Sequence, residues 1–366
     1  MAGCAFVVIL NWNGWRDTIE CLESLLRSRG CPFRVVVCDN NSVDESIAGI
    51  TAWAEGRLAV DSAKTPESLR HLVLPPRTKP VELLVLTEAE SAAAAGGVDA
   101  IAHVPLTLIR NNENRGFAGG VNVGIRFALA HRDCAWVWVL NNDTIVDPDA
   151  MAELVAHVAR DPRIGICGSS VLYYHAPQTV QARGGAELDR WFGVTRHLGD
   201  GERWTGPVEA LEVERAMSYV LGASMLVTRA FLEKVGLMAE DYFLYYEELD
   251  WAMRARGRFS LGYAPSSIIW HKEGASIGSS SAPARRSALS DYYGARNRLL
   301  FMRRFFPWRM PSVYTGIVLS ILKRLKRGQP ERARELFRIM LAPKSYVPHE
   351  GDPSLRRFRA PTDGER

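Results

Sequence analysis

Four carboxylates set close together are the first residues of this sequence that could do chemistry. The segment 241–271 contains them and ends at His271; they are Asp241, Glu247, Glu248 and Asp250. Like charges held this close raise one another's pKa, which is how a protein prepares a general base near neutral pH. The alternative is an exposed acidic helix start, because acidic residues stabilise helix N-termini and clustered charges are usually solvated. The segment alone leaves both interpretations open.

A second candidate site follows the apolar run Trp136–Leu140, which predicts a buried strand. Asn141, Asn142 and Asp143 come directly after it. Amide and carboxylate oxygens at a strand end suit a hard divalent cation such as Mg²⁺ or Mn²⁺, which is held by few protein oxygens and by substrate phosphates. A turn is the alternative, because Asn and Asp are common turn formers.

Two short apolar runs near the N-terminus predict buried strands. Ala5–Leu10 and Phe33–Cys38 flank residues 18–28, whose apolar side chains recur at helical spacing. A strand, a helix and a second strand in this order predict a βαβ unit of an α/β fold with a parallel sheet. Ligands of such sheets bind beyond the carboxyl ends of the strands. The sequences NWNG and DNNS, which follow the two strands, are therefore expected to lie side by side.

A glycine-rich turn follows a third predicted strand, Leu106–Arg110. Its glycines straddle the start of an apolar helix; they are Gly116, Gly119, Gly120 and Gly124. Glycine lets the backbone approach a ligand closely, and a helix N-terminus favours an anion such as a phosphate. The order of the glycines is not GxGxxG and no Walker lysine follows, which argues against NAD and ATP sites.

The composition is that of a soluble globular protein with an uneven charge distribution. Of the 366 residues, 47% are hydrophobic and 23% are charged. The six cysteines lack CxxC spacing, which predicts reduced thiols. No signal peptide is recognised, and no apolar stretch reaches the roughly 18 residues of a spanning helix, so a cytoplasmic protein is expected. Residues 285–366 carry 19 Lys and Arg against 7 Asp and Glu, a net +12, and leave −8 for residues 1–284. The two parts are expected to meet different partners.

The motifs occur in a fixed order along the chain. This order is NWN, DNNSVDES, NRGFAGGVNVG, LNNDTIVDPD, GASMLVTRAFLEKVG, DYFLYYEELDWAMRARG and WH. As a set they resemble the family 2 glycosyltransferases, inverting enzymes of the GT-A fold, and especially the rhamnosyltransferase-like branch that builds bacterial cell-surface polysaccharides. The resemblance covers roughly residues 5–300. It implies a Rossmann-like, mainly parallel central sheet flanked by helices, with a helical C-terminal extension.

The resemblance assigns residues to the donor side of a site. Asp39 matches the residue that hydrogen-bonds the nucleotide base, and Asn11 and Asn13 line the same pocket. A second group matches the turn beneath the nucleotide, and it consists of Asn114, Arg115, Gly116, Phe117 and Asn122. The implied donor is a nucleotide-diphosphate sugar with dTDP or UDP as the nucleotide, and the branch makes rhamnose a candidate for the sugar.

The resemblance also implies a metal site and a base. Asp143 matches the last acid of the DxD metal motif, and Asn141 and His271 complete the site for Mg²⁺ or Mn²⁺. Asn142, beside Asp143, is expected to bind the donor. Glu248 matches the general base that takes the proton of an acceptor hydroxyl. Residues at supporting positions are Glu247, Asp250 and Arg254.

Two positions depart from the family pattern. Asn141 replaces a carboxylate of the metal motif, so cation affinity is expected to depend more on the donor phosphates. Glu247 and Glu248 replace the usual Glu-Asp pair, which leaves open which glutamate is the base. Two alternative functions also stay open. One is a nucleotidyltransferase, although NWNGWRDT does not supply the glycine- and Lys/Arg-rich N-terminal loop that such enzymes use for the triphosphate. The other is a catalytically inactive, membrane-bound scaffold, which only the asparagines at the metal site favour.

The basic C-terminal part combines apolar residues with Lys and Arg at near-helical spacing over residues 289–325. Such helices lie in a membrane interface and attract anionic lipids. A helix packed on the catalytic domain with a solvated basic face is the alternative, and a nucleic-acid site lacks a recognised motif. Because family acceptors are often lipid-linked glycans, the expected place is the inner face of the cell membrane. We predict a catalytic domain over residues 1–284, in which residues 51–104 form an inserted hairpin or flap. Residues 285–342 are predicted to form the basic helical extension, and residues 343–366 a disordered tail.

Overall fold

The computed structural model describes residues 3–94, 104–273 and 288–341. The strands in these ranges are β1 Cys4–Asn11, β2 Phe33–Asp39, β3 Leu83–Thr87, β4 Leu106–Arg110, β5 Cys134–Asn141, β6 Thr144–Val146, β7 Ile164–Tyr173, β8 Ala176–Arg183, β9 Gly185–Asp189, β10 Val194–His197, β11 Tyr219–Val220, β12 Ser224–Thr228 and β13 Ser260–His271. The α-helices are α1 Trp15–Leu25, α2 Ser46–Ala54, α3 Arg70–Val73, α4 Glu88–Ala94, α5 Gly116–Ala130, α6 Ala150–Val158, α7 Ala210–Ala216, α8 Arg229–Val235, α9 Glu247–Ala255, α10 Ala288–Phe305, α11 Met310–Lys326 and α12 Pro330–Leu341.

A central sheet of ten strands organises the fold. Its order is β3-β4-β2-β1-β5-β12-β7-β13-β6, with β8 paired to β7. The strands from β3 to β5 are all parallel, as the βαβ pattern predicts, and β13 is parallel to β7. β12 runs antiparallel between β5 and β7. A smaller sheet contains β10, β9 and β11. The prediction of a mainly parallel α/β sheet with helices at the C-terminal end is confirmed.

The register of the parallel strands brings their polar ends to one edge. Asn11, the last residue of β1, lies opposite Asp39, the last residue of β2. Leu10 lies opposite Asn141 at the end of β5. Because neighbouring strands end at the same level, the NWN, DNN and NND sequences are adjacent, as predicted from the rule for open α/β sheets.

Alternation along the strands supplies both hydrophobic layers. Val7 and Ile9 of β1 face the cluster that contains α1 and α2, whereas Phe6 and Val8 face the cluster that contains α5. Strands covered by helices on both faces read as continuous apolar runs, which explains the sequence AFVVIL. The sheet is therefore a rigid frame whose polar edge carries the candidate site.

Residues 51–94 are part of this frame, which corrects the expectation of an inserted hairpin or flap. β3 pairs in parallel with β4 and forms one edge of the central sheet. Trp53 is fully buried in the core, and its indole N–H donates to Glu23 Oε1 at 2.8 Å. β3 therefore extends the central sheet beyond β4. Residues 95–103 lie outside the described ranges.

The C-terminal helices share a hydrophobic core with residues in and before α9. Leu299 of α10 and Val313 of α11 are fully buried in a cluster that also contains Tyr242 and Leu249. The helical extension is therefore packed on the segment that precedes and includes α9. None of the described helices is long and apolar enough to cross a membrane. The predicted boundary at residue 284 and the predicted tail 343–366 lie outside the described ranges.

Candidate active site

The polar ends of β1 and β2 form one hydrogen-bond network. Asn11 is fully buried, and its Nδ2 donates to Asp39 Oδ2 at 2.7 Å. Ser42 donates to Asp39 through Oγ (2.6 Å to Oδ2) and through its N–H (3.0 Å to Oδ1). Asn13 Oδ1 accepts the N–H of Val43 at 2.9 Å. Burial raises the pKa of Asp39 above its ordinary value, against the opposing effect of these donors. The structure thus brings together the three residues predicted for the nucleotide base.

Asn40 joins this network to the glycine-rich turn. Its Nδ2 donates to Asn114 Oδ1 at 2.8 Å and to the carbonyl of Gly116 at 3.1 Å. Gly116 has a φ of 70°, and a Cβ at this position would overlap the carbonyl of Phe243. The N–H of Phe117 donates to that same carbonyl at 2.7 Å. The turn therefore requires glycine, and it contacts the segment that leads to the candidate base.

Two residues predicted as donor ligands are bonded to other parts of the protein. Arg115 forms salt bridges with Glu88 (2.7 Å) and Glu113 (3.1 Å). Asn122 is fully buried, and its Nδ2 donates to the carbonyl of Met238 at 3.0 Å. These contacts make Asn122 a link between α5 and the chain before α9, so they give its predicted donor role no support.

The turn between β5 and β6 places a carboxylate beside an imidazole. β13 pairs antiparallel with β6 so that His271 lies opposite Thr144. His271 Nε2 is 3.1 Å from Asp143 Oδ1 and 3.2 Å from Asn141 Nδ2. Burial would lower the pKa of His271, but Asp143 raises it above its ordinary value. Burial would likewise raise the pKa of Asp143, but His271 and Lys272 hold it below its ordinary value. The predicted metal residues are therefore adjacent.

Asn142, the middle residue of the same motif, points to a different neighbour. Its Nδ2 donates to Thr18 Oγ1 at 3.1 Å and to the carbonyl of Gly14 at 3.3 Å. Thr18 Oγ1 in turn donates to Asn11 Oδ1 at 2.8 Å. Asn142 thus connects the end of β5 to the hydrogen-bond network of Asn11 and Asp39, where the nucleotide base is predicted to bind.

Gln181 orients the imidazole of His271. Gln181 is buried on β8, and its Oε1 lies 2.9 Å from His271 Nδ1. The protonated ring, which Asp143 favours, donates from Nε2 to Asp143 and from Nδ1 to Gln181. In a neutral ring that keeps its hydrogen on Nδ1, the lone pair of Nε2 is available to a cation. A partner of this kind commonly fixes the tautomer of a metal-binding histidine.

The chemistry of these side chains fits a divalent cation with few protein ligands. In the described part of the chain, no group of three or more His, Cys, Asp and Glu side chains could hold a metal. Asp143 and His271 nevertheless offer a carboxylate oxygen and an imidazole nitrogen 3.1 Å apart. Adjacent ligands of an octahedral cation with bonds of about 2.1 Å are about 3 Å apart. Asp143 and His271 would thus hold Mg²⁺ or Mn²⁺ together with the amide oxygen of Asn141, whose Nδ2 faces His271 in this structure, and with phosphates and water as further ligands.

The two glutamates at the start of α9 have different surroundings. Glu247 is 2% exposed, and its Oε2 has no hydrogen-bond partner. Burial and the neighbouring Glu248 raise the pKa of Glu247 well above its ordinary value. Glu248 is half-buried, and its Oε1 lies beside Gly222. Burial raises the pKa of Glu248 to about 7. Glu247 is therefore enclosed by the protein, whereas the Glu248 carboxylate lies beside the turn at Gly222.

Gly222 gives the Glu248 carboxylate its space. A Cβ on Gly222 would overlap Glu248 Oε1. The carbonyl of the next residue, Ala223, accepts the N–H of Asn141 at 3.1 Å. The turn between β11 and β12 therefore contacts the candidate base on one side and the candidate metal motif on the other.

Asp250 is an ion-pair centre and lies in the interior. It is fully buried, and Arg254 Nε donates to its Oδ1 at 2.6 Å. Arg304 of α10 donates to Oδ2 at 2.9 Å, and Tyr242 donates to the same oxygen at 3.0 Å. Its carboxylate ties α9 to the C-terminal extension.

Comparison with known proteins identifies the family of the chain. A model of the family "Glycosyltransferase like family 2" matches residues 50–290. The chain belongs to this family.

Two curated proteins similar to this family 2 chain have hexosyl- or rhamnosyltransferase names. The low-salt glycan biosynthesis hexosyltransferase Agl10 of Haloferax volcanii is 26% identical over 155 residues, 42% of this chain and 47% of that protein. An N-acetylglucosaminyl-diphospho-decaprenol L-rhamnosyltransferase of Mycobacterium tuberculosis is 29% identical over 187 residues, 49% of this chain and 59% of that protein. The chain spans about half the length of these relatives.

A distant likeness to a solved structure extends over most of this family 2 chain. The mannosyltransferase PcManGT from Pyrobaculum calidifontis, in complex with GDP-Man and Mn²⁺, aligns with 94% of this chain and 88% of its own. The TM-score is 0.47 and the sequence identity is 14%.

Sequence reasoning missed two of the polar residues that build this family 2 site. Asn40 could have been recognised, because it stands between Asp39 and Ser42 in the DNNS sequence. Gln181 gives no such signal, because it lies in the middle of β8 and reaches His271 only through the pairing of β8, β7 and β13.

Proposed function

We propose that the protein is an inverting glycosyltransferase that moves a sugar from a nucleotide-diphosphate donor to a hydroxyl group of a glycan or lipid-linked glycan. One observation carries the proposal: the turn at Gly222 and Ala223 joins a raised-pKa carboxylate, Glu248, to the Asp143 motif. A displacement at an anomeric carbon needs a base on one face of the sugar and charge stabilisation on the other. The family assignment supports the same chemistry.

The residues of the chain divide the reaction between them. Asp39, Asn11 and Asn13 bind the nucleotide, and the turn from Asn114 to Phe117 lies beneath it. Glu248 takes the proton of the acceptor hydroxyl as the acceptor oxygen bonds to the anomeric carbon. The bond from that carbon to the phosphate oxygen breaks, and the nucleoside diphosphate leaves with the electron pair. Glu248 then releases its proton to water.

Asp143, Asn141 and His271 would hold the divalent cation at the leaving group. A bound Mg²⁺ or Mn²⁺ supplies Lewis-acid stabilisation of the diphosphate charge, an effect of several kcal/mol. The loss of one carboxylate from the motif, Asn141 in place of an acid, predicts that cation and donor bind together more tightly than the cation alone.

A donor-turnover assay tests the proposal. Purified protein is mixed with dTDP-, UDP- and GDP-sugars with Mg²⁺, Mn²⁺ or EDTA, and released nucleoside diphosphate is measured. Thermal shifts select the donor first. The proposal expects metal-dependent release of nucleoside diphosphate from one donor, with dTDP-rhamnose and UDP-sugars as the candidates. Pyrophosphate exchange would point to a nucleotidyltransferase, and absence of turnover with any bound donor would contradict the transferase.

A membrane surface is the second partner we propose, and the exposed face of α11 supports it. Leu319, Leu322 and Leu325 are 51%, 55% and 51% exposed, and Lys323 and Lys326 flank them. An exposed apolar stripe beside lysines is suited to an anionic membrane interface. By its name, the mycobacterial relative acts on a diphospho-decaprenol, which carries a polyprenyl chain. We therefore propose that the protein works at the inner face of the cell membrane.

Sedimentation with lipid vesicles tests this contact. Binding is expected to vesicles that contain anionic lipid and to weaken with salt, and Leu322→Glu is expected to reduce it about tenfold through the loss of apolar burial and the added negative charge. Val43→Glu, at an apolar residue that is 60% exposed on the catalytic region, is the matched control. Equal loss in both variants, or equal binding to neutral vesicles, would contradict the assigned surface.

A further inference from the structure

The backbone just before the two glutamates has an unusual conformation. Phe243, Tyr245 and Tyr246 have φ values of 64°, 69° and 74°. This left-handed region is rare for residues with large side chains and persists only where surrounding contacts hold it. We refer to residues 242–246 as the base loop, because it leads directly into Glu247 and Glu248. Its conformation therefore sets the position of both carboxylates.

Asn297 of the C-terminal helix α10 binds this loop at three carbonyl groups. Asn297 is fully buried. Its Nδ2 donates to the carbonyl oxygens of Tyr242 (2.7 Å), Leu244 (2.7 Å) and Tyr245 (3.1 Å). An amide with two hydrogens can hold such converging carbonyls, which would repel one another without a donor between them. Buried carbonyls also need partners, and a left-handed loop cannot supply them from a regular helix or strand.

The arginine before it extends the same arrangement. Arg296 Nη1 donates to Asn297 Oδ1 at 2.7 Å and to the carbonyl of Asp241 at 3.0 Å. The amide group of Asn297 is therefore oriented at both ends: its oxygen faces Arg296, and its nitrogen faces the base loop.

The opposite side of the loop contacts the donor region. The carbonyl of Phe243 accepts the N–H of Phe117, from the glycine-rich turn, at 2.7 Å. The ring of Phe243 stacks on Tyr293 of α10 with a centroid distance of 5.0 Å. The base loop thus lies between the turn assigned to the nucleotide and the helix that carries Asn297.

We propose that Asn297 is a positioning residue for Glu248, and that α10 is therefore a working part of the active site. The proposal rests on the proposed function, because it requires Glu248 to act as the base. Asn297 acts through the three carbonyls of the base loop and does not touch the substrate. Without it, the loop relaxes toward ordinary backbone conformations and the Glu248 carboxylate moves away from the acceptor hydroxyl.

Steady-state kinetics of Asn297→Ala and Asn297→Asp test the proposal. A displacement of about 1 Å can cost about a hundredfold in rate, so kcat for transfer is expected to fall about 10- to 100-fold while the donor KM stays within about twofold. Asn297→Asp keeps the size of the side chain but offers an oxygen to the carbonyls, so it is expected to lose at least as much as the alanine variant.

Val313→Ala is the matched control, because Val313 is a fully buried residue of the extension in the same hydrophobic cluster. It is expected to lower the Tm with kcat within about twofold of the unmodified protein, measured well below the Tm of each variant. Equal losses of kcat in Asn297→Ala and Val313→Ala would overturn the proposal, since Asn297 would then act only on stability. Unchanged kcat in Asn297→Ala would overturn it as well.

Arg296→Ala keeps the proposal testable if the Asn297 variants do not fold. Arg296 is half-exposed, and its removal leaves the amide of Asn297 without its orienting partner. A several-fold loss of kcat at constant donor KM is expected, and full kcat would count against the proposal. Glu248→Gln distinguishes failure of the proposed function from failure of the positioning role. If Glu248→Gln stays fully active, Glu248 is not the base. If Glu248→Gln is inactive while Asn297→Ala is fully active, only the role of Asn297 is refuted.

Discussion

The donor half and the base half of the candidate site are built in different ways. The donor half consists of residues at the ends of the parallel strands β1, β2 and β5, where the register of the sheet places each polar side chain. The base half consists of a loop with three left-handed residues that is held by a helix of the C-terminal extension. Backbone pairing places the strand ends, whereas the loop is held by hydrogen bonds from one side chain. The base half is therefore expected to be the more sensitive of the two.

The largest effect is expected from the base itself. Glu248→Gln removes the proton acceptor and keeps the size of the side chain, so transfer should fall by about 10²- to 10⁴-fold. Donor binding, measured by calorimetry, should be retained, because the donor half is unchanged. Asp241→Asn is the control, since Asp241 is exposed and belongs to the same acidic segment. Full turnover by Glu248→Gln would refute the assignment of the base.

The comparison also separates what the sequence predicts from what it does not. The strand-end motifs could be predicted because parallel strands with buried apolar runs bring their polar ends to one edge, whatever the connections between them. The pairing of Asp143 with His271 depends on the antiparallel contact of β6 and β13, and only the resemblance to a known family indicated it.

The base loop lies beyond what a local pattern can predict. Its conformation depends on Asn297, which lies 55 residues after Tyr242. The sequence identified the acidic segment and left open which glutamate is the base. The two side chains differ in their surroundings. Glu247 is almost completely buried, whereas the carboxylate of Glu248 occupies the space beside Gly222 where a side chain would otherwise lie.

A second test removes the carboxylate of the candidate metal motif. Asp143→Ala should lower metal-dependent transfer by about a hundredfold or more, because it removes the charged protein ligand of a Lewis-acid site. Donor titrations with and without Mn²⁺ measure the linkage between cation and donor, and this linkage should be lost. An Asp143→Ala variant whose transfer still responds fully to Mg²⁺ or Mn²⁺ would show that the cation binds elsewhere.

A smaller effect is expected from the residue behind His271. Gln181→Leu removes the acceptor for Nδ1 and frees the ring, which should weaken Mn²⁺ binding about 10-fold in the presence of a donor analogue. Gln181→Glu keeps an acceptor oxygen at the same position and should bind Mn²⁺ more tightly than the leucine variant. Electron paramagnetic resonance of Mn²⁺ reports this affinity without catalysis. Equal affinity in Gln181→Leu and the unmodified protein would remove Gln181 from the site.

The smallest effect is a pH dependence. Burial raises the pKa of Glu248 to about 7, so the deprotonated, active form is lost as the pH falls through that value. With all components saturating, kcat should fall about fivefold between pH 7 and pH 6. Asn297→Ala should alter this profile, because it changes the surroundings of Glu248. A flat profile of kcat across this range would be inconsistent with Glu248 as the base.

The stereochemistry of transfer tests the central claim most directly, namely that a base and a diphosphate leaving group act on opposite faces of one sugar. The anomeric configuration of the first product formed can be read by proton NMR during turnover of a donor of known configuration. A single displacement assisted by Glu248 predicts complete inversion at the anomeric carbon. Retention of configuration would contradict this arrangement of the site.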